Sequence, residues 1–324
     1  MGEFNKFEII KRKLIQSDQV MLIVLFITVC VIFGFLSPYF FTLNNFLNIL
    51  RQGSYNAIAA VGVAYTVIAG GIDLSVGSMQ GLIGVIVVIV LISTNSVLLA
   101  ILVGILIGVV LGFINGFIIT KLGVIDIIAT LAMFFTLRGV GYVLTNANSI
   151  SNTTSTFFNW IGVGYIFYIP APVIWTIIIY IFFGVILKFT VLGRYVYAIG
   201  GDKNASILNG IKFNKIKMLT YIFSGFTASI AAIILAARMN SGQPNAGIGL
   251  EFTVVAAVII GGCSLLGGRG GLVGTLLGVL FLTMIRNGLV LLNVPSFYQQ
   301  IITGLILIAA VAFDYRKQLL LKKL

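Results

Sequence analysis

The chain has 324 residues, of which 60% are hydrophobic and 9% charged, with a formal net charge of +12 and no histidine. So few polar groups cannot clothe a soluble globule of this size, and imidazole chemistry is excluded outright. The basic excess reads as loop charge orienting a polytopic membrane protein, not as a nucleic-acid surface.

A bilayer core of about 30 Å takes about 20 apolar residues per helix, and the continuous apolar runs lack the period-two alternation of a barrel strand. The predicted fold is therefore an all-α integral membrane protein, one polytopic domain over residues 1–324. Residues 1–19 carry Lys6, Lys11, Arg12 and Lys13 among apolar residues at helical spacing, which predicts a cytoplasmic interfacial segment. Membrane spans are expected near 20–36, 54–69, 79–92, 97–119, 125–144, 171–189, 218–237, 252–263, 271–285 and 299–313, about ten in all. Starting inside, that number returns the C-terminus to the cytoplasm and puts the basic connection 190–217 on the same face, as the positive-inside rule asks. Cys30 and Cys263 both lie in apolar runs, so no disulfide framework, metal site or cofactor is expected.

Two short segments interrupt the apolar pattern. "VIAGGIDLSVGSMQGLIG" and "VIIGGCSLLGGRGGLVG" align Gly70 and Gly71 with Gly261 and Gly262, and Gly77 with Gly268. Matched glycine-broken segments in two halves of a membrane chain point to an internal duplication and to a transport path. A helix can stop at Gly-Gly, and the freed backbone groups are tolerated only inside protein or beside a wet cavity. Asp73, Ser75 and Ser264 stand in these breaks, followed in the second by Gly267 and Gly268. Asp73 has two readings: an N-cap of the next helix, or a group lining a substrate or gating path. Asp126 and Arg138 are too far apart on one helix to pair, and a pair between Arg238 and Glu251 is plausible. No phosphate-loop motif occurs, and neither hydrolytic nor redox sites are supported; no catalytic residue is assigned.

In the connection 190–217, "NASILNGI" predicts a short helix capped by Asn204, with Ile207 and Leu208 on an apolar face and Gly210 ending it. Such a helix wants a partner's groove, or else lies on the protein's own underside. "GGIDLSVGS", "GRYVYAIGGDKNASILNGI" and "AAVIIGGCSLLGGRGGLVGTLLG" together closely resemble the permease subunits of bacterial ABC importers for ribose, xylose, galactosides and similar sugars, over nearly the whole chain.

The resemblance implies a cell-membrane subunit that pairs with a second permease, a copy or a paralogue, docks a separate ATPase and receives sugar from an extracytoplasmic binding protein. It implies ATPase contact at Gly193, Arg194, Gly200, Gly201, Asn204, Ala205, Leu208 and Gly210. Asp73 and both glycine pairs fall in the segments beside the translocation path. Asp126 departs from the family pattern, so no family role is inferred for it. Two other readings stay open: an ABC permease for a nucleoside, branched amino acid or signalling furanose, and an ion-coupled secondary transporter using Asp73 or Asp126.

Overall fold

The computed structural model describes residues 18–151 and 155–322, so most of the predicted interfacial segment, 1–17, lies outside the described residues. The helices in chain order are α1 (Asp18–Leu36), α2 (Leu43–Ile68), α3 (Val76–Thr94), α4 (Val97–Lys121), α5 (Asp126–Thr145), α6 (Thr156–Val163), α7 (Ala171–Phe189), α8 (Val191–Gly201), α9 (Lys203–Leu208), α10 (Phe213–Met239), α11 (Leu250–Ile260), α12 (Leu272–Leu291) and α13 (Ser296–Lys322). Four two-residue strands join the loops. β1 (Ile150–Ser151) pairs antiparallel with β4 (Ser241–Gly242), and β2 (Tyr165–Ile166) with β3 (Ile169–Pro170).

The all-α membrane architecture stands, but the predicted number of spans is not matched. Among the described residues, six helices are long and apolar enough to cross a bilayer: α3, α4, α5, α7, α10 and α12. Two departures have clear causes. The first half of the 26-residue α2 carries Asn44, Asn45, Asn48, Arg51 and Gln52, which dilute its apolar character. The 11 residues of α11 cover about 16 Å, half of a bilayer core.

α10 is the axis of the bundle. It packs along α4, α2 and α3, with α6 against its far end. Contact with α4 is backbone to backbone, because Gly104, Gly108, Gly112 and Gly116 recur every fourth residue and form one face of that helix. A Cβ on Gly112 would overlap the Tyr221 carbonyl oxygen, and one on Gly225 would overlap that of Gly108. Between helices in lipid, where no hydrophobic effect drives association, such close approach supplies the packing energy. The opposite face of α4 presents Leu98, Leu102, Leu106 and Phe113 outward, as a lipid-facing surface requires. In contrast, α2 from Ala57 to Ile68 is enclosed by protein on every side.

Candidate functional site

Both predicted breaks end their helices by the same motif. After α2, Ala69 N–H donates to Tyr65 O (3.0 Å), Gly70 N–H to Val67 O (2.9 Å) and Gly71 N–H to Thr66 O (2.8 Å). After α11, Gly261 donates to Ala257 O (2.9 Å), Gly262 to Ile259 O (2.9 Å) and Cys263 to Val258 O (3.1 Å). This is a Schellman termination, whose turning residue must be left-handed. Gly70, at φ +72°, and Gly262, at φ +92°, take that place. The structural equivalence is thus Gly70 with Gly262, one residue off the alignment of Gly70 with Gly261. Gly71 and Gly261 serve space instead. A Cβ on Gly71 would overlap Asp126 Oδ2, and one on Gly261 would overlap the Gly274 carbonyl at the start of α12.

Asp73 is fully buried between the two helices of the first break. Its Oδ1 accepts from the Ser75 N–H (2.9 Å) and hydroxyl (2.6 Å), and its Oδ2 from the Ser224 hydroxyl on α10 (2.7 Å). Asn115 of α4 donates to Ser75 Oγ at 2.8 Å. The simple cap expectation is corrected: Ser75 occupies the N-cap position of α3, and Asp73 closes the turn in front of it while tying that turn to α10.

The carbonyls freed at the end of α2 are held by a group that charge counting alone assigns to a loop. Lys217, 5% exposed in its side chain, donates to Gly70 O (2.9 Å) and Ala69 O (3.2 Å) and pairs with Asp126 Oδ2 at 2.8 Å. Asp126 therefore finds its partner across the bundle. A cation at a helix C-terminus also satisfies the local dipole.

The two breaks meet each other and the segment 190–217. Gly268 N–H donates to Ile68 O at 2.8 Å, linking the second break to the last residue of α2. Gly200 lies so close to the same carbonyl that a Cβ there would overlap it and stand 2.6 Å from the Gly268 nitrogen. Gly267, φ +84°, would carry a Cβ 2.8 Å from Gly70 Cα and 2.6 Å from Gly200 O. Gly70, Gly200, Gly267 and Gly268 thus form one three-way backbone junction. Ser264 stabilises the loop that carries two of them, accepting from Gly267 N–H (3.0 Å) and, through Oγ, from Leu266 N–H (3.3 Å).

From this junction α8 and α9 lead outward. Gly193 is buried one turn into α8, its N–H reaching the Thr190 hydroxyl at 3.3 Å. Arg194 is exposed and edges a cavity of about 820 Å³ shared with Tyr180, Lys188, Tyr197, Gly262 and Val273. Asp202, not Asn204, caps α9, accepting from Ala205 N–H at 3.0 Å. α8 runs to Gly201, so residue 202 alone separates the two helices and must act as the cap, and Asn204 lies inside α9. Gly210 ends α9 as expected, at φ +78°, with Ile211 N–H bonded to Ser206 O at 3.0 Å. Ile211 packs into the core, while Ala205 is exposed and Leu208 is 87% exposed. The apolar tip of α9 therefore stays uncovered by the chain itself.

Sequence reasoning missed a further element. Between α10 and α11, "SGQPNAGIG" (241–249) leaves β4 and passes in turns from Pro244 to Gly249 beside α3, from Val85 to Gly77, about 12 Å of helix axis. Irregular backbone at that depth is tolerated only within protein or beside a cavity. Arg138 of α5 holds it, donating to Pro244 O (2.5 Å) and Ala246 O (2.7 Å). Glu251 turns back to accept from Gly249 N–H at 3.1 Å, and Arg238 stacks over the Tyr55 ring at 5.7 Å, so the suggested Arg238–Glu251 pair does not form. Among the described residues no group of His, Cys, Asp or Glu could hold a metal ion.

Comparison with known proteins agrees with this architecture. The family model described as "Branched-chain amino acid transport system / permease component" matches residues 45–311. The ribose import permease protein RbsC of Escherichia coli K12 is 42% identical over 304 residues, 93% of this chain and 94% of that protein. The RbsC of Bacillus subtilis 168 is 42% identical over 294 residues, covering 90% and 91% of the two chains. The L-arabinose transport system permease protein AraH of E. coli K12 is 36% identical over 306 residues, 93% and 92%. No solved structure matches. The chain belongs to the branched-chain amino acid transport system permease component family, as a membrane transport component and not an enzyme.

Proposed function

We propose that this chain is the multi-pass inner-membrane permease of an ATP-driven ABC importer for a simple sugar, a ribose-like pentose. The relatives that transport ribose and L-arabinose support the cargo class. The observation that carries the mechanism is the junction of Gly70, Gly200, Gly267 and Gly268, which joins both helix breaks to α8, the helix that leads into the exposed α9. In this reading the chain is one polytopic domain with about ten crossings, some of them half-helices, and both termini are cytoplasmic. α9 enters a groove on a separate ATPase through Ala205 and Leu208. Closure of the ATPase dimer pushes α8, and the junction passes that displacement to the ends of α2 and α11. A second permease, a copy or paralogue, completes the path, lipid surrounds the pair, and a binding protein delivers sugar from outside. The two like-terminated breaks are the remnant of an internal duplication.

Affinity purification of the tagged chain from its host, with mass spectrometry of what accompanies it, tests the assembly. An ATPase in matching stoichiometry and a binding protein are expected, and the reconstituted complex should import ribose only with ATP. A chain that transports unaided and stops when an ionophore collapses the ion gradient would replace this reading with ion-coupled transport.

A further inference from the structure

Beside the irregular segment 241–249, three buried polar side chains keep atoms that nothing in the protein satisfies. Gln80 on α3, Arg138 on α5 and Glu251 on α11 are 1%, 7% and 3% exposed. Gln80 Oε1 and Nε2, Arg138 Nε and Nη2, and Glu251 Oε2 all lack a hydrogen-bond partner. The three converge on one face of α3. A Cβ on Gly77 would overlap Glu251 Oε2, and one on Gly81 would stand 2.7 Å from Arg138 Nη1. Gly77, Gln80 and Gly81 lie within about 100° of each other around the helix. Arg138 and Glu251 do not close into an ion pair; among the described residues that bond belongs to Lys217 and Asp126.

Leaving several buried polar atoms unpaired in one place is costly, and folded proteins rarely do it without a use. We infer that Gln80, Arg138 and Glu251 form a binding site for the hydroxyl groups of a neutral sugar, an inference that rests on the function proposed above. The free atoms include both donors and acceptors, and a hydroxyl is the group that both donates and accepts. The Phe134 ring, 5.7 Å from the Arg138 guanidinium, adds an apolar surface of the kind a sugar ring packs on. One wall of the site is the segment 241–249, latched by Arg138 through the carbonyls of Pro244 and Ala246.

The test uses the whole importer, this chain with its ATPase and binding protein in proteoliposomes. Uptake of D-ribose is compared with that of its 2-, 3- and 5-deoxy analogues. The binding protein's own preference is common to all variants and cancels. A site built to bond a hydroxyl penalises the analogue lacking it, so Gln80→Met should lower ribose uptake and shrink the ribose-to-deoxyribose ratio for at least one analogue about tenfold. A purely structural role for Gln80, such as holding buried water, would move all four sugars together, and unchanged ratios would overturn the site. Should Gln80→Met fail to reach the membrane, the same ratios are read on Glu251→Gln, which preserves shape and the bond to Gly249. A wild-type importer that takes up no pentose overturns the sugar reading itself, whereas pentose uptake with unchanged ratios overturns the site alone.

Discussion

Replacing Lys217 by methionine fills the same volume and removes one charge and three hydrogen-bonding contacts at the end of α2. The Asp126 carboxylate it abandons costs about 1.5 kcal/mol, below the usual figure for a broken buried pair because Asp126 keeps 22% side-chain exposure. The carbonyls of Ala69 and Gly70 together add about 1.5 kcal/mol, giving about 3 kcal/mol for Lys217→Met. Asp126→Leu should cost about 1.5 kcal/mol, since Lys217 loses its counter-charge but keeps both carbonyls. In the double variant the charges leave together and the carbonyls alone suffer, about 1.5 kcal/mol, so the pair couples by about 3 kcal/mol. Unfolding of the purified chain in mixed micelles by increasing SDS, followed through Trp160 and Trp175, measures all three. A double variant destabilised by the sum of the singles would refute the claim that this pair terminates α2 as a unit.

The other predictions concern the junction, the exposed helix and the buried carboxylate. Gly200→Ala forces a methyl group onto the Ile68 carbonyl and should reduce uptake more than tenfold, while Gly139→Ala, which meets open space, should transport normally; radiolabelled sugar uptake per membrane-inserted chain decides it. Leu208→Glu, at an 87% exposed position, should leave stability within about 0.5 kcal/mol of the parent yet abolish co-purification of the ATPase; retained association would remove α9 from the docking role. Asp73→Asn can keep all three bonds if the Ser224 hydroxyl rotates to accept, so uptake should fall less than about threefold, whereas Asp73→Leu orphans two buried hydroxyls and an N–H and should deplete the membrane of folded chain. Asp73→Asn that inserts normally but transports nothing would show that the negative charge itself acts on the path.

Local rules govern the part of the fold that is legible in the sequence. The left-handed turn after α2 follows from Gly70, the ends of α4 and α7 from unbroken apolar runs, and the stop of α9 from Gly210. Lys217 is hard to place from sequence because a charge near a span end carries no mark of direction. A usable signal exists: Lys217, Thr220, Tyr221 and Ser224 recur at three- and four-residue spacing and are all buried, a polar stripe facing inward. The capping of α9 turns on where α8 stops, a boundary that tertiary packing around Gly200 sets. The segment 241–249 passes for an ordinary loop because its composition is loop-like. The warning is the shortness of the apolar run behind it, since from Leu250 to Gly261 there is too little helix to cross a bilayer.

The enclosure of α2 bears on how the chain is made. Its first half is too polar to be attractive to lipid, and the whole helix, with Ala57 to Ile68 enclosed, ends packed chiefly against α7, α10 and α12, which leave the ribosome roughly 100 to 200 residues later. During synthesis α2 must wait in the membrane or at the insertion machinery until α10 arrives to receive it. The glycine face of α4 is ready beforehand, a prepared bed on which α10 can settle. Assembly is therefore ordered by long-range pairing: chains truncated before Phe213 should hold α2 in a state open to proteases and quality control, and the arrival of one helix should protect the whole first half at once.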